Sequence, residues 1–400
     1  MEVRLSDRAK AIQPSPTLAI TAKAKQLRAE GKDVIGFGAG EPDFDTPEEI
    51  KQAAIAAINA GQTKYTPVGG TPELKKAIAH RVSEDYGLDY SADEILVSCG
   101  GKHSLYNLCQ ALFQDGDEVI VPAPYWVSYP ELVSMAGAKP VEVLASDEQN
   151  FCITPEQLEA AITSKTRGIF LNSPSNPTGA MYTEDKIRAL AAVLEKHPNI
   201  WVISDDIYMK LTYGDAKFFS IATISDEWKA RTIVVNGASK AYSMTGWRIG
   251  IACGDAKVIK AMTNMQSQST SNPASISQAA AEKAFNMDQS IVGEMLKAFD
   301  ERRQWIVKAL NEIEGVSCND PEGAFYVFPN ISGLLGKSAG GKKIETDMDF
   351  AAWLLEEAMV AVVPGTPFGA PGYMRLSYAT SMENIQKGVG RIAEAAKKLS

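Results

Sequence analysis

Seven short runs rich in β-branched residues recur through the middle of the chain, at 94–98, 117–121, 140–144, 167–172, 200–204, 231–235 and 249–252. Between most of them lie segments with apolar residues three and four apart, at 103–113, 126–136, 155–163 and 183–196. Strands that alternate with helices in this way build a mostly parallel sheet covered by helices on both faces. The reading is α/β: a large domain over 50–290 with a seven-stranded, mostly parallel sheet. The ends differ. An amphipathic helix is expected over 17–30 and a long helical stretch over 276–313. Strand-like pieces follow at 324–328, 359–363 and 373–378, then a closing helix near 381–398. That α+β pattern predicts a smaller domain built from both termini, 1–49 and 291–400. The Gly/Ser/Lys-rich stretch 332–343 reads as an exposed loop or insertion.

Composition removes several classes of function. The chain has 400 residues, 45% of them hydrophobic, so it is neither disordered nor dependent on staples for a core. Its net charge of −9 offers no global field for nucleic acid. Five scattered cysteines without a C-x-x-C read as reduced thiols, and three histidines supply no metal site. MEVRLSDRAK lacks the apolar stretch of a signal peptide, and no 18 consecutive apolar residues occur, so cytoplasm is the expected location.

Four constellations carry candidate chemistry. Lys240 follows the strand 231–235 and the small-residue turn Asn236-Gly237-Ala238-Ser239. Ligands bind at such carboxyl ends of strands in open α/β sheets. By position alone, Lys240 reads either as a solvated charge or as a Schiff-base lysine, with Arg248 eight residues on as a fork for phosphate. In SDDIY (204–208), Asp205 either caps the next helix or holds a protonated ring nitrogen, with Tyr208 beside a phenolic oxygen. In NSPSNPTG (172–179), Asn176 sits in an ordinary turn or donates to a ring hydroxyl. Gly100-Gly101-Lys102 opens a helix, whose free N–H groups attract phosphate, although many strand-to-helix turns use Gly-Gly.

Taken in order along the chain, these motifs resemble a known family. GAGEPDFDTP (38–47), KYTPVGG (64–70), PYWVSYPE (124–131), SNPTGA (175–180), MTGWRIG (244–250), VVPGTPFG (362–369) and RLSYAT (375–380) are similar to segments of class I aminotransferases of pyridoxal-phosphate fold type I. The bacterial aspartate aminotransferase subgroup is the nearest resemblance, and it runs from about residue 4 to 397. It implies that Lys240 binds pyridoxal 5'-phosphate covalently and serves as the catalytic base. Asp205 pairs with the pyridine nitrogen, Tyr208 and Asn176 with the ring's 3′ oxygen, and Trp126 stacks on the ring. Gly101, Lys102 and Arg248 line the phosphate site, and Tyr65 reaches the phosphate of a partner subunit in a homodimer. Arg375 clamps the substrate α-carboxylate and Gly40 lies beside the substrate. Lys102 is the expected ligand of a second carboxylate, with Ser15 and Thr17 as added donors.

The implied reaction is a ping-pong transfer of the amino group from L-aspartate to 2-oxoglutarate. Two departures and two rivals accompany it. Some relatives have serine where Gly237 stands, which removes one phosphate contact. Relatives that accept prephenate often carry a basic residue where Gln13 stands. A lyase on the same fold, such as an aminocyclopropane-carboxylate synthase, shares most of these residues. A regulatory binding module needs an added DNA-binding domain; only about 35 residues precede Gly38 and the chain as a whole is acidic, so that reading is not expected. The peptides Ala123–Pro124 and Asn176–Pro177 are both expected to be cis.

Overall fold

The computed structural model describes residues 3–12 and 16–400, and at residues 8 and 16–18 the backbone alone. All seven expected strands form one sheet. We number them β1 (Ile95–Ser98), β2 (Glu118–Ala123), β3 (Lys139–Leu144), β4 (Thr166–Asn172), β5 (Trp201–Asp205), β6 (Thr232–Gly237) and β7 (Gly250–Cys253). Their spatial order is β1-β7-β6-β5-β4-β2-β3. Every pairing is parallel except those of β7, which runs antiparallel to both neighbours. The reason is the connection. A parallel return usually runs through a crossover helix, and the connection 238–249 between β6 and β7 contains only the 3-10 turn Thr245–Trp247. That connection carries Lys240 and Arg248.

The central strands are buried along nearly their whole length, which is why they read as continuous apolar runs rather than alternating ones. Helices Gly101–Leu112 and Ala256–Ser269 cover one face with a core that includes Leu105, Leu108, Ile259 and Met262. Glu184–Leu194 lies on a second core with Leu158, Ile169 and Val202. The edge strand β3 is the most exposed of the seven.

Residues near the two ends meet each other. Ile35–Gly36 pairs in parallel with Val360–Ala361, and Val363–Pro364, Met374–Ser377 and Tyr326–Val327 form an antiparallel sheet. The terminal helix Met382–Ala396 packs its apolar side into the largest core cluster. The stretch 332–343 contains a 3-10 turn at Ser332–Leu334 and a two-residue-per-strand hairpin at 338–343 rather than a bare loop.

Two expectations need correction. The helical stretch 276–313 is two helices, Ser275–Asn286 and Ser290–Asn311. Gln289 donates to the carbonyls of Ala284 and Met287, and Asp288 accepts from the Ser290 amide, so side chains take over the hydrogen bonds that a continuous helix would make. The peptide Ala123–Pro124 is cis as expected, but the second cis bond is Ser173–Pro174, not Asn176–Pro177. The turn that follows is closed by Gly179 N–H to Ser175 and by the Asn176 amide to the Asn172 side chain at 3.0 Å.

All five cysteines are free. Among the described residues, no cluster of three metal-ligating side chains occurs, and no helix is long and apolar enough to cross a membrane.

Candidate active site

The carboxyl ends of β4, β5 and β6 open into one cavity of about 480 Å³. Ten of the expected site residues line it: Gly40, Gly101, Lys102, Trp126, Asn176, Asp205, Tyr208, Lys240, Arg248 and Arg375. Tyr65 does not. Its side chain is 92% exposed and points away from this chain's core. Ser15 lies outside the described residues, and so does the side chain of Thr17, whose backbone begins the helix Pro16–Ala29.

Asp205 ends β5 and is buried. Its carboxylate accepts the Tyr129 hydroxyl at 2.7 Å, while its own carbonyl accepts from Asn172 at 2.7 Å. Burial pushes the carboxyl up to about 6, and the Tyr129 hydrogen bond works against that rise. The neighbouring Asp206 faces a different set of partners, Ser204 at 2.7 Å and Tyr86 at 3.2 Å, with Asn236 donating on to Tyr86. Burial lifts it to about 7. Neither aspartate caps a helix, so the capping alternative fails for both.

Lys240 reaches across the turn and donates to the carbonyl of Gly40. Burial brings its ammonium down to about 8, with Glu41 opposing the shift and Arg375 and Arg248 adding to it. A lysine held in this way is mainly a neutral amine above about pH 8 and offers a minor neutral share at neutral pH, the form needed of a base or a nucleophile. Arg375 is buried at the end of the cavity. It donates to the Asn176 side chain at 2.9 Å and to the Gly38 carbonyl at 2.8 Å, and its guanidinium lies over the rings of Tyr326 and Phe368. Its Nε has no partner among the described residues.

The other end is cationic. Arg248 adopts a left-handed backbone, φ 57°, and donates to the Thr245 carbonyl at 2.8 Å. Gly100 makes that approach feasible: a Cβ there would lie 2.3 Å from the Arg248 guanidinium, and its own φ is +92°. Lys102, in the first turn of Gly101–Leu112, stands 4.8 Å from the centre of the Trp126 ring. Gly237 also has a steric reason. A Cβ there would sit 2.7 Å from the Ile249 carbonyl, so β6 and β7 leave no space for a serine without adjustment.

Sequence reasoning did not single out Tyr129, Tyr326, Glu41, Asn172 or Lys25. Tyr129 follows Trp126 by three residues within PYWVSY, and a turn bond from the Tyr129 amide to the Trp126 carbonyl at 2.9 Å brings the two rings edge to face. Tyr326 bonds the Tyr208 hydroxyl at 2.8 Å from a segment that reads as plain strand. Glu41 was visible beside Gly40, and it accepts from Thr245 at 2.8 Å.

Comparison with known proteins agrees with this geometry. Residues 32–392 match the family model described as aminotransferase class I and II. An aspartate aminotransferase of Bacillus subtilis is 52% identical, with 100% of both chains covered. An aspartate/prephenate aminotransferase of Nitrosomonas europaea is 52% identical over 98% of this chain and 99% of its own. The crystal structure of the Rhizobium meliloti aspartate aminotransferase superposes with a TM-score of 0.96 at 49% identity over 100% of both chains. The Thermus thermophilus enzyme with maleate superposes at 0.92 and 43%, over 98% of this chain and 100% of its own. With the match spanning nearly the entire chain, the protein is a member of the class I and II aminotransferase family.

Proposed function

We propose that the protein is an aspartate aminotransferase that uses pyridoxal 5'-phosphate to move the amino group of L-aspartate to 2-oxoglutarate. One observation carries the reading. A buried arginine fork, a lysine with a lowered ammonium pKa and a buried carboxylate face a single cavity that is cationic at its far end.

The donor set fits the cofactor. The carboxylate of Asp205 is desolvated and has a single side-chain donor, so a cationic ring N–H restores the charge balance its burial removes. Arg248, the N-terminal amides at Gly101 and the nearby Lys102 suit a phosphate. Tyr208 and Asn176 are placed to meet a phenolic oxygen, and Trp126 to cover the ring. The bound cofactor supplies an electron sink for the bond broken at the substrate's α-carbon.

The chain's own residues do the rest. Arg375 takes the α-carboxylate as a bidentate fork and so orients the Cα–H bond. Both substrates carry that carboxylate, which lets one arginine serve both half-reactions. Lys240, as a neutral amine, would take the α-proton on its Nζ and hold it for return once the amino group has moved. Asp205 holds a proton on the ring nitrogen throughout. Closure of a unit built from 1–49 and 291–400 over 50–290 excludes water, and the enzyme works as a cytoplasmic homodimer with Tyr65 crossing to the partner's phosphate.

Dicarboxylate preference has support in Lys102, partly buried beside Trp126, and in the relatives' names. Acceptance of prephenate is a second reading, favoured by the name of the Nitrosomonas relative. The test is direct. Aspartate plus 2-oxoglutarate yields oxaloacetate and glutamate if the proposal holds; release of another product without glutamate indicates a lyase and refutes it.

A further inference from the structure

The turn between β6 and β7 holds two non-glycine residues in left-handed conformations, Ser243 at φ 50° and Arg248 at φ 57°. L-residues adopt that region rarely, and they persist there only when their surroundings hold them. Backbone hydrogen bonds within the turn join Ser243 to Lys240, Met244 to Ser239 and Trp247 to Met244, and the Ser243 hydroxyl reaches the Met295 sulfur. Arg248 Nη1 donates to the Thr245 carbonyl at 2.8 Å, and Nη2 reaches the Cys99 carbonyl at 3.4 Å.

One hydroxyl from a distant segment reaches this turn at two places. Thr46 is buried, and its Oγ1 donates to the Ser243 carbonyl at 2.6 Å. The same oxygen accepts from the Trp247 indole N–H at 3.0 Å. Ser243 is one of the two left-handed residues, and Trp247 immediately precedes the other. The Thr46 hydroxyl therefore ties the middle of the turn to its later part, with one hydrogen bond given and one received. Glu41 adds a second strap from the same segment by accepting from Thr245 at 2.8 Å. Residues 200 positions apart in sequence thus fix the conformation from which the Arg248 guanidinium enters the cavity.

We propose that Thr46 is a positioning residue for the phosphate site, acting through Ser243 and Trp247 to hold Arg248 in its binding conformation. This rests on the pyridoxal-phosphate reading above. It assigns to Thr46 a share of the affinity for the cofactor's phosphate and none for its ring. Thr46 itself touches neither.

The test is equilibrium binding of pyridoxal phosphate and of unphosphorylated pyridoxal to the full chain stripped of cofactor, followed by absorbance. Thr46→Val keeps the side-chain shape and removes both hydrogen bonds. It should weaken pyridoxal phosphate on the order of tenfold, the effect of losing one or two neutral hydrogen bonds, and leave pyridoxal nearly unchanged. Thr46→Ser should bind both like the wild type. Trp247→Phe, which removes only the indole donor, should show the same selective loss to a smaller degree and serves if the valine variant does not fold. Equal affinity of the valine or phenylalanine variant for both ligands relative to wild type, or an equal loss for both, overturns the proposal. A wild-type chain that binds no pyridoxal phosphate overturns the cofactor reading itself, and the two failures are told apart by that control.

Discussion

Tyr129 and Asp205 are joined by a 2.7 Å hydrogen bond although they stand 76 residues apart, one in the first turn of a helix after β2 and the other at the end of β5. Tyr129 also stacks on Phe170 and meets Trp126 edge to face, so its hydroxyl has little freedom to leave the carboxylate. The pair sets how readily Asp205 ionises inside the protein.

Tyr129→Phe should therefore shift the acidic limb of activity. Burial holds the Asp205 carboxyl up at about 6, and the Tyr129 hydroxyl is the strongest influence pulling it down. Without it the carboxyl rises further, and more alkali is needed to keep the carboxylate charged. The acidic limb of kcat/KM should move to higher pH by about one unit, with a roughly tenfold loss below it. An unchanged limb would separate Tyr129 from the ionisation of Asp205.

Lys240 offers a test of stability as well as of chemistry. Its ammonium is lowered to about 8 in the folded chain from an unfolded value near 10.5. Between those values the unfolded chain binds more protons, so this group's contribution rises with pH there and is unfavourable below about 8. Lys240→Met should abolish turnover, and in the cofactor-free chain it should raise the thermal midpoint at pH 7. The difference should shrink as pH climbs toward 10.5. A midpoint gain that does not depend on pH would assign the effect to packing instead.

Lys102 is the residue proposed to meet the second carboxylate. It sits partly buried beside Trp126, and burial first, then Arg248, lowers its ammonium. Lys102→Ser, assayed with aspartate and with a neutral donor of similar size, should cost aspartate ~1.5–3 kcal/mol in kcat/KM and spare the neutral donor. An equal loss for both places Lys102 on the cofactor's phosphate.

The parts of this fold that were legible in the sequence are those whose cause is local. Each of β1 to β7 follows a short strand-like run closed by turn residues, and burial made most of those runs continuously apolar, the exposed edge strand β3 excepted. Lys240, Asp205 and Asn176 all end or follow strands, where the general rule for α/β sheets places ligands. The break at 287–289 was not legible, because the polar residues there suit a helix surface as well as a cap. Tyr326 read as strand because its hydroxyl's partner, Tyr208, is 118 residues away. Thr46 gave no local sign at all: its two partners lie on a turn that takes its shape only after β6 and β7 have paired.

The assembly prediction concerns Tyr65. Its ring is 92% exposed, far more than an aromatic side chain ordinarily shows in a stable monomer. The segment beneath it is nevertheless firmly held. Gln278 is buried and bonds the Thr71 amide at 2.9 Å and the Thr66 hydroxyl at 2.9 Å, directly after Tyr65. Gln266, also buried, donates to the Val68 and Val97 carbonyls, each at 2.8 Å. Ile55 and Ile58 stand exposed on the helix Glu48–Asn59, and Met265 on the helix Ala256–Ser269. A firmly held loop that presents an uncovered tyrosine, on a chain that also exposes these apolar side chains, suits a second copy of this chain, with Tyr65 entering the neighbour's phosphate site. Tyr65→Ala and Lys240→Ala homodimers should each be nearly inactive. Unfolding and refolding them together should restore activity, because a hybrid dimer contains one site with both residues intact. Activity that fails to return although hybrids form would place Tyr65 outside the partner's site, and full activity in a sedimenting monomer would dispense with the partner altogether.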